Sequence, residues 1–169
     1  MSTAHGAGGV GLTNPVRWLA TASSAWAGVL LLSPLLPASL AVVAYALGGV
    51  VCHQLTERSF HVSGHQLAVC ARCTGIYVGA AIALVWQAFV YDANRRNRHA
   101  SIGVVQARLW LLLGAVPTLV TVTMEMGGLW ATSNTERAVA GLPLGASVAI
   151  VVGVSSTVNY EQWRQRRHE

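Results

Sequence analysis

The sequence contains no lysine and few acidic residues. Its eleven basic residues are all arginine, and only six residues are aspartate or glutamate. Charged residues make up 10% of the 169-residue chain and hydrophobic residues 53%, whereas roughly a quarter of an ordinary soluble domain is charged. So little charge is atypical of a soluble protein and indicates a protein of the lipid bilayer.

Several motifs that carry familiar chemistry are also missing. There is no Walker phosphate-binding loop, no G-x-S-x-G, no H-E-x-x-H and no dinucleotide-binding glycine motif, so nucleotide hydrolysis and hydride transfer have no support. The arginines are not interleaved with aromatic residues in a basic stripe, so we expect no nucleic-acid partner.

Long apolar segments dominate what remains. We predict an all-α fold, a polytopic membrane helical bundle with about five transmembrane helices. Two prolines within Ser33–Pro37 separate the first two helices. If that break is a kink within a re-entrant pair, the number of spans falls to four. The predicted spans are Trp18–Leu32, Ala38–Val51, Ile76–Tyr91, Leu109–Met124 and Ala138–Val158.

The predicted bundle is one domain, residues 17–160, between a disordered N-terminal tail, residues 1–16, and a basic C-terminal tail, residues 161–169. Arginines gather between the third and fourth spans and again in the C-terminal tail. Because arginine-rich connections stay in the cytoplasm, we expect the C-terminus there, in a multi-pass protein of the cytoplasmic membrane. With five spans, the loop between the second and third spans and the N-terminus lie outside.

That loop belongs to a polar stretch, residues 52–75, which holds all three cysteines and three of the six histidines. An odd number of cysteines argues against a purely structural set of disulfides. Cys70 and Cys73 form a C-x-x-C motif just before the third span, near a helix N-terminus, where the helix dipole favours thiolate. Thiolates bind metals and attack disulfides, so this is the candidate reactive site.

The leading hypothesis for this stretch is a site for zinc or a similar divalent metal. Cys52, His53, Cys70 and Cys73 would supply the Cys3His set that suits tetrahedral zinc. Because adjacent residues cannot easily chelate one ion together, His61 or His65 is an alternative fourth ligand. A second hypothesis is a membrane thiol–disulfide oxidoreductase with Cys70 and Cys73 as the redox couple and Cys52 as a relay.

A second polar region begins at Glu125, at the end of the fourth span. An ionised carboxylate is costly there without a partner, and Arg58, Arg72 or Arg137 could be that partner. These residues could form an ion-pair network that holds the loops together. With Asn134, the three arginines could instead bind an anionic lipid headgroup, in an enzyme or a carrier. The candidate catalytic residues are Cys70, Cys73 and Glu125.

Two stretches carry a family resemblance. The first comprises Gly49–Gln54, Arg58–Phe60 and Cys70–Gly79, and the second comprises Glu125–Gly128, Ser133, Asn134, Arg137, Gly141 and Gly145. Together they resemble a family of small bacterial and archaeal multi-pass membrane proteins classed as a domain of unknown function. The resemblance implies a helical membrane fold in which the two motifs belong together, and it implies no established reaction. That family more usually has aspartate where this chain has Glu125.

Overall fold

The computed structural model describes residues 15–93 and 104–166. The predicted N-terminal tail therefore lies outside the described residues, except for the first two residues of α1. The last three residues of the chain and the connection between the third and fourth helices, residues 94–103, also lie outside them. The described residues form five α-helices, α1 (Pro15–Leu32), α2 (Ala38–Val51), α3 (Ala71–Ala93), α4 (Val104–Met126) and α5 (Asn134–Arg166). Each contains most or all of one predicted span, so the all-α fold is confirmed.

The connection between α1 and α2 breaks the helix as its prolines predict. It forms a short 3-10 turn, Ser33–Leu35, and Pro37 occupies the N-cap position of α2. Ser33 is buried, its hydroxyl donates to the carbonyl of Leu30 over 2.7 Å, and its Oγ accepts the backbone N–H of Ala68 over 3.0 Å. The end of α1 is thereby attached to the segment that precedes α3.

The centre of the bundle is the parallel pair α3 and α5, which pack with almost no space between their backbones. A β carbon at Gly75 would collide with the carbonyl of Ala138, and one at Gly145 would collide with the carbonyl of Ile76. Only glycine allows such close approach. Gly145 therefore allows α5 to pack closely against α3.

The helices α1 and α4 run antiparallel to this central pair. Trp26 of α1 meets Tyr77 of α3 edge-on, with ring centroids 6.2 Å apart. The hydroxyl of Thr118 on α4 donates to the carbonyl of Ala140 on α5 over 2.7 Å. The end of α1, the start of α3, the end of α4 and the start of α5 consequently meet at one end of the bundle, which we call the site end.

The segment Ser33–Cys52, which contains α2, begins and ends at the site end. Ser33, before α2, bonds to Ala68, and Cys52, after α2, accepts the N–H of Cys70 over 3.2 Å. With 14 residues, α2 is about 21 Å long, shorter than the roughly 30 Å hydrocarbon core. Four helices of the described chain are long and apolar enough to cross a membrane, which is the lower of the two predicted numbers of spans.

The end of the bundle opposite the site end gathers the remaining helix ends. The start of α1 lies there, together with the end of α3 and the end of α5. The described part of the predicted C-terminal tail, residues 161–166, continues α5.

Candidate functional site

The first cysteine of the site lies where α2 ends. Cys52 donates its backbone N–H to the carbonyl of Gly48 over 2.9 Å and then turns to an extended conformation. Its side chain is buried, and its sulfur accepts the backbone N–H groups of Gln54 and Cys70 over 3.5 Å and 3.2 Å. These contacts fix the sulfur at the start of α3.

The other two cysteines belong to the first turn of α3. The carbonyl of Cys70 accepts the backbone N–H of Thr74 over 2.9 Å and its hydroxyl over 3.1 Å, which places Cys70 at the N-cap. Cys73 follows within the first turn. All three cysteines are free, and their Sγ atoms lie within 4.8 Å of one another. Cys52, Cys70 and Cys73 are called the thiol cluster below.

The electrostatic setting of Cys70 favours its thiolate. A hydrogen bond with the Cys73 side chain, helped by the backbone N–H groups of Cys73 and Arg72 and by Cys52, lowers the pKa of the Cys70 thiol to about 5. Burial acts in the opposite direction but is the weaker effect. Unpaired N–H groups at a helix N-terminus have this effect on thiols in general.

An amide side chain holds the loop that carries Cys52. The Nε2 of Gln54 donates to the backbone carbonyls of Tyr45 and Ala68, each over 2.7 Å. The backbone carbonyl of Gln54 accepts a hydrogen bond from Nε2 of Gln66 over 2.9 Å. Gln54 has a φ of 50°, which few residues other than glycine adopt. No structural role was predicted for Gln54, because an amide that bridges a helix end and a distant loop leaves no spacing pattern in the sequence.

The three histidines of the loop are all exposed and lie outside the cluster of ligand atoms within 4.8 Å. His61 and His65 belong to the antiparallel strands β1 (His61–Val62) and β2 (His65–Gln66), joined by Ser63 and Gly64 with φ values of 53° and 81°. His53 differs from them, because it lines the same cavity as the three sulfurs.

The predicted partners of Glu125 all converge on it. The Nη2 of Arg72 lies 3.3 Å from one carboxylate oxygen, and the Nη2 of Arg58 lies 3.8 Å from the other, which also contacts Arg137. The side chains of Glu125 and Arg137 are each 12% exposed, and that of Arg72 is 18% exposed. We call these four residues the arginine cluster. Three guanidinium groups share one carboxylate, so the cluster carries two excess positive charges.

The arginine cluster joins three parts of the chain. Arg137 donates through Nη1 to Oδ1 of Asn134 over 2.8 Å, and Nδ2 of Asn134 donates to the carbonyl of Ser59 over 3.0 Å. The start of α5, the loop before α3 and the end of α4 are therefore connected. Asn134 and Arg137 have structural partners, as expected of a network that holds the loops together.

A cavity of about 400 Å³ brings the two clusters together. Its polar lining comprises Cys52, His53, Gln54, Arg58, Cys70, Arg72 and Cys73, and its apolar lining comprises Val51, Leu55 and Ile76. We call it the thiol cavity. It offers soft sulfur ligands on one part of its wall and guanidinium donors on another.

The family model described as "Predicted membrane protein (DUF2085)" matches residues 52–151, well over half of the chain. The chain belongs to this family. The DUF2085 match begins at Cys52 and contains both clusters, and it leaves α1 and α2 outside. It agrees with the resemblance seen in the sequence and with the apolar helices of the bundle.

Two relatives of the chain come from archaea, and both are described as uncharacterised. The chain is 28% identical over 113 residues to a protein of Methanocaldococcus jannaschii, which covers 67% of this chain and 68% of that protein. It is 33% identical over 104 residues to a protein of Methanothermobacter thermautotrophicus, which covers 62% of this chain and 86% of that protein. No solved structure matches the chain.

Proposed function

We propose that this DUF2085 protein binds zinc or a similar divalent ion through the three sulfurs of the thiol cluster. The observation that carries the proposal is the approach of three free thiols to within 4.8 Å of one another. In tetrahedral zinc sites the Zn–S distance is about 2.3 Å, so that sulfurs lie about 3.8 Å apart. Small side-chain rotations would bring the cluster to that spacing.

The fourth coordination position can take an imidazole or an exogenous group. His53 is our candidate, because it lines the thiol cavity, whereas His61 and His65 extend from the exposed hairpin. Because His53 directly follows Cys52, both can bind one ion only if the backbone between them adjusts. If it does not, the fourth position is open to solvent or to a substrate, as in catalytic zinc sites.

Elemental analysis of the purified protein tests the proposal. We expect about one zinc per chain in the wild type, because one set of three thiolates holds one ion. Cys70→Ser should lose most of that metal, and His61→Ala, which removes an exposed histidine, should retain it. An absence of stoichiometric metal in the wild type, or full retention in Cys70→Ser, contradicts the proposal.

The same proximity of thiols supports one competing function, thiol–disulfide exchange. Cys70 and Cys73 would lose two protons and two electrons to form a disulfide, and a quinone-type acceptor would take up both to become a quinol. Cys52 would act as the relay by exchanging its thiolate with that disulfide. Alkylation at a series of redox potentials separates the two functions. A reversible disulfide between Cys70 and Cys73 supports exchange, and three thiols that resist alkylation until a chelator is added support the metal site.

The sidedness of the site is also a proposal. With four crossings, the start of α1, the end of α3 and the end of α5 would lie on the same side of the membrane. Arg17 then lies on the side of the other arginine-rich segments, as the tendency of arginine to remain in the cytoplasm favours. The thiol cavity would consequently open at the extracytoplasmic face of the cytoplasmic membrane.

A further inference from the structure

The structure points to a second ligand of the thiol cavity. We propose that the cavity binds a phosphate-type oxyanion, held by Arg58 and Arg72 beside the three sulfurs. The inference adds a ligand to the proposed metal site, but its donors belong to the arginine cluster, so it can be tested separately. A free phosphate and a phospholipid headgroup present the same chemistry to these donors.

The charge of the two clusters is the first argument. The arginine cluster has two excess positive charges, and three thiolates with one divalent ion carry a single negative charge. One positive charge remains beside a cavity whose rim is partly apolar. Because charge in such surroundings is costly without a counter-charge, an anion in the cavity would be stabilised.

The hydrogen-bond donors are the second argument. Arg58 is nearly half exposed, and its nearest contact with Glu125 is 3.8 Å, longer than a hydrogen bond. The Nε of Arg72 is buried and has no hydrogen-bond partner. Arg58 and Arg72 both line the thiol cavity, and each retains a donor for another acceptor. Planar guanidinium groups recognise phosphate oxygens through paired hydrogen bonds.

The other members of the predicted anion set have a different role. Arg137 and Asn134 do not contribute to the lining of the thiol cavity, and they are bonded to Glu125, Ser59 and each other. Glu125 is a positioning residue, because its carboxylate holds Arg72 beside the sulfurs. The structure thus narrows the predicted set of four to Arg58 and Arg72.

The size and lining of the cavity define the ligand class. Its volume of about 400 Å³ exceeds what a single metal ion requires and lies within the range of small-molecule sites, roughly 300–1,000 Å³. Val51, Leu55 and Ile76 add an apolar part to the wall. A phosphate with an attached glycerol or acyl group therefore fits the lining as well as inorganic phosphate does.

Calorimetric titration of the full chain in a phosphate-free maltoside detergent tests this inference. Inorganic phosphate and water-soluble dihexanoyl phosphatidic acid are titrated separately. Binding heat from only one of them shows whether the ligand is free phosphate or a phospholipid headgroup. The variants are Arg58→Ala and a matched control, Arg108→Ala, which removes an arginine near the opposite end of α4. We expect Arg58→Ala to weaken binding about tenfold or more and Arg108→Ala to leave it unchanged.

The outcomes separate this inference from the metal site. Binding of neither probe to the wild type, or equal binding by Arg58→Ala and Arg108→Ala, overturns the inference even if zinc is present. Binding that depends on Arg58 in a protein without stoichiometric metal supports the oxyanion site and overturns the metal site alone. Because Arg58 lies in an exposed 3-10 turn, its removal is expected to leave the fold intact.

Discussion

Arg72 and Glu125 form an ion pair, with Nη2 of Arg72 3.3 Å from the carboxylate, that joins the first turn of α3 to the last turn of α4. The same carboxylate contacts Arg137 in the first turn of α5. A single acidic side chain therefore connects the ends of three helices beside the thiol cluster. The pair also explains how an ionised glutamate is accommodated at the end of an apolar helix.

Removing this carboxylate is expected to destabilise the bundle. Glu125→Gln leaves two largely buried guanidinium groups without their counter-charge, and breaking a buried pair in this way costs roughly 3–5 kcal/mol. Thermal unfolding in detergent should show a clear drop in Tm. Glu136→Gln is the matched control, since Glu136 is exposed and caps α5 through Ser133. Equal Tm values for the two variants would contradict this role of Glu125.

Close packing of α3 against α5 gives a second prediction. Gly145→Ala places a β carbon against the carbonyl of Ile76, so we expect it to destabilise the protein by about 1–3 kcal/mol. Gly28→Ala is the control, because no atom lies within 4 Å of its added β carbon. It should leave Tm unchanged or raise it slightly. Equal unfolding temperatures for Gly145→Ala and Gly28→Ala would contradict the close contact of α3 with α5 at Gly145.

Gln54 is expected to govern the affinity of the metal site. Gln54→Ala removes the amide that ties the loop of Cys52 to the carbonyls of Tyr45 and Ala68. Loss of an orienting contact beside metal ligands typically costs about 10–100-fold in metal affinity. Competition with a chromophoric chelator measures that change. Gln87→Ala removes a comparable bond to the carbonyl of Ala149, and an equal loss of affinity in that variant would argue against a specific role for Gln54.

Membrane topology provides a prediction that depends on α2. Epitope tags at the N-terminus, at the C-terminus and in the hairpin turn at Gly64 are exposed to protease in intact cells and then in permeabilised cells. Because we infer four crossings, both terminal tags should be cleaved only after permeabilisation, and the hairpin tag should be cleaved at once. Cleavage of the N-terminal tag in intact cells, with the C-terminal tag protected, would restore the five-span topology.

The long apolar segments were sufficient to predict the helices, and two prolines were sufficient to predict the break at Ser33–Pro37. The motif spacing was sufficient to bring Cys70 and Cys73 to a helix N-terminus. The path of α2 could not be predicted, because 14 apolar residues are consistent with either a tilted span or a re-entrant helix. The direction of its return depends on contacts of Ser33 and Cys52 with residues distant in sequence.

Two features of the site could not be predicted, namely the partners of Glu125 and the positions of the histidines. Both depend on contacts between residues distant in sequence. Any one of three arginines was a possible partner for Glu125, and the folded chain uses all three. Where His61 and His65 lie relative to the thiol cluster depends on the two-residue turn Ser63–Gly64. The positive φ angles of these two residues allow the strands on either side to form an exposed hairpin. Such a turn is too short to alter the apolar periodicity, so it left the positions of His61 and His65 undetermined.

The most direct test of the three-cysteine metal site is X-ray absorption at the zinc K-edge on the purified wild-type protein. We predict a shell of three sulfur atoms at about 2.3 Å and one lighter ligand at about 2.0–2.1 Å. Cys52→Ser should reduce the sulfur shell to two atoms if metal is retained. A spectrum that shows only nitrogen and oxygen ligands, or a protein that contains no zinc or other divalent metal, would contradict the account.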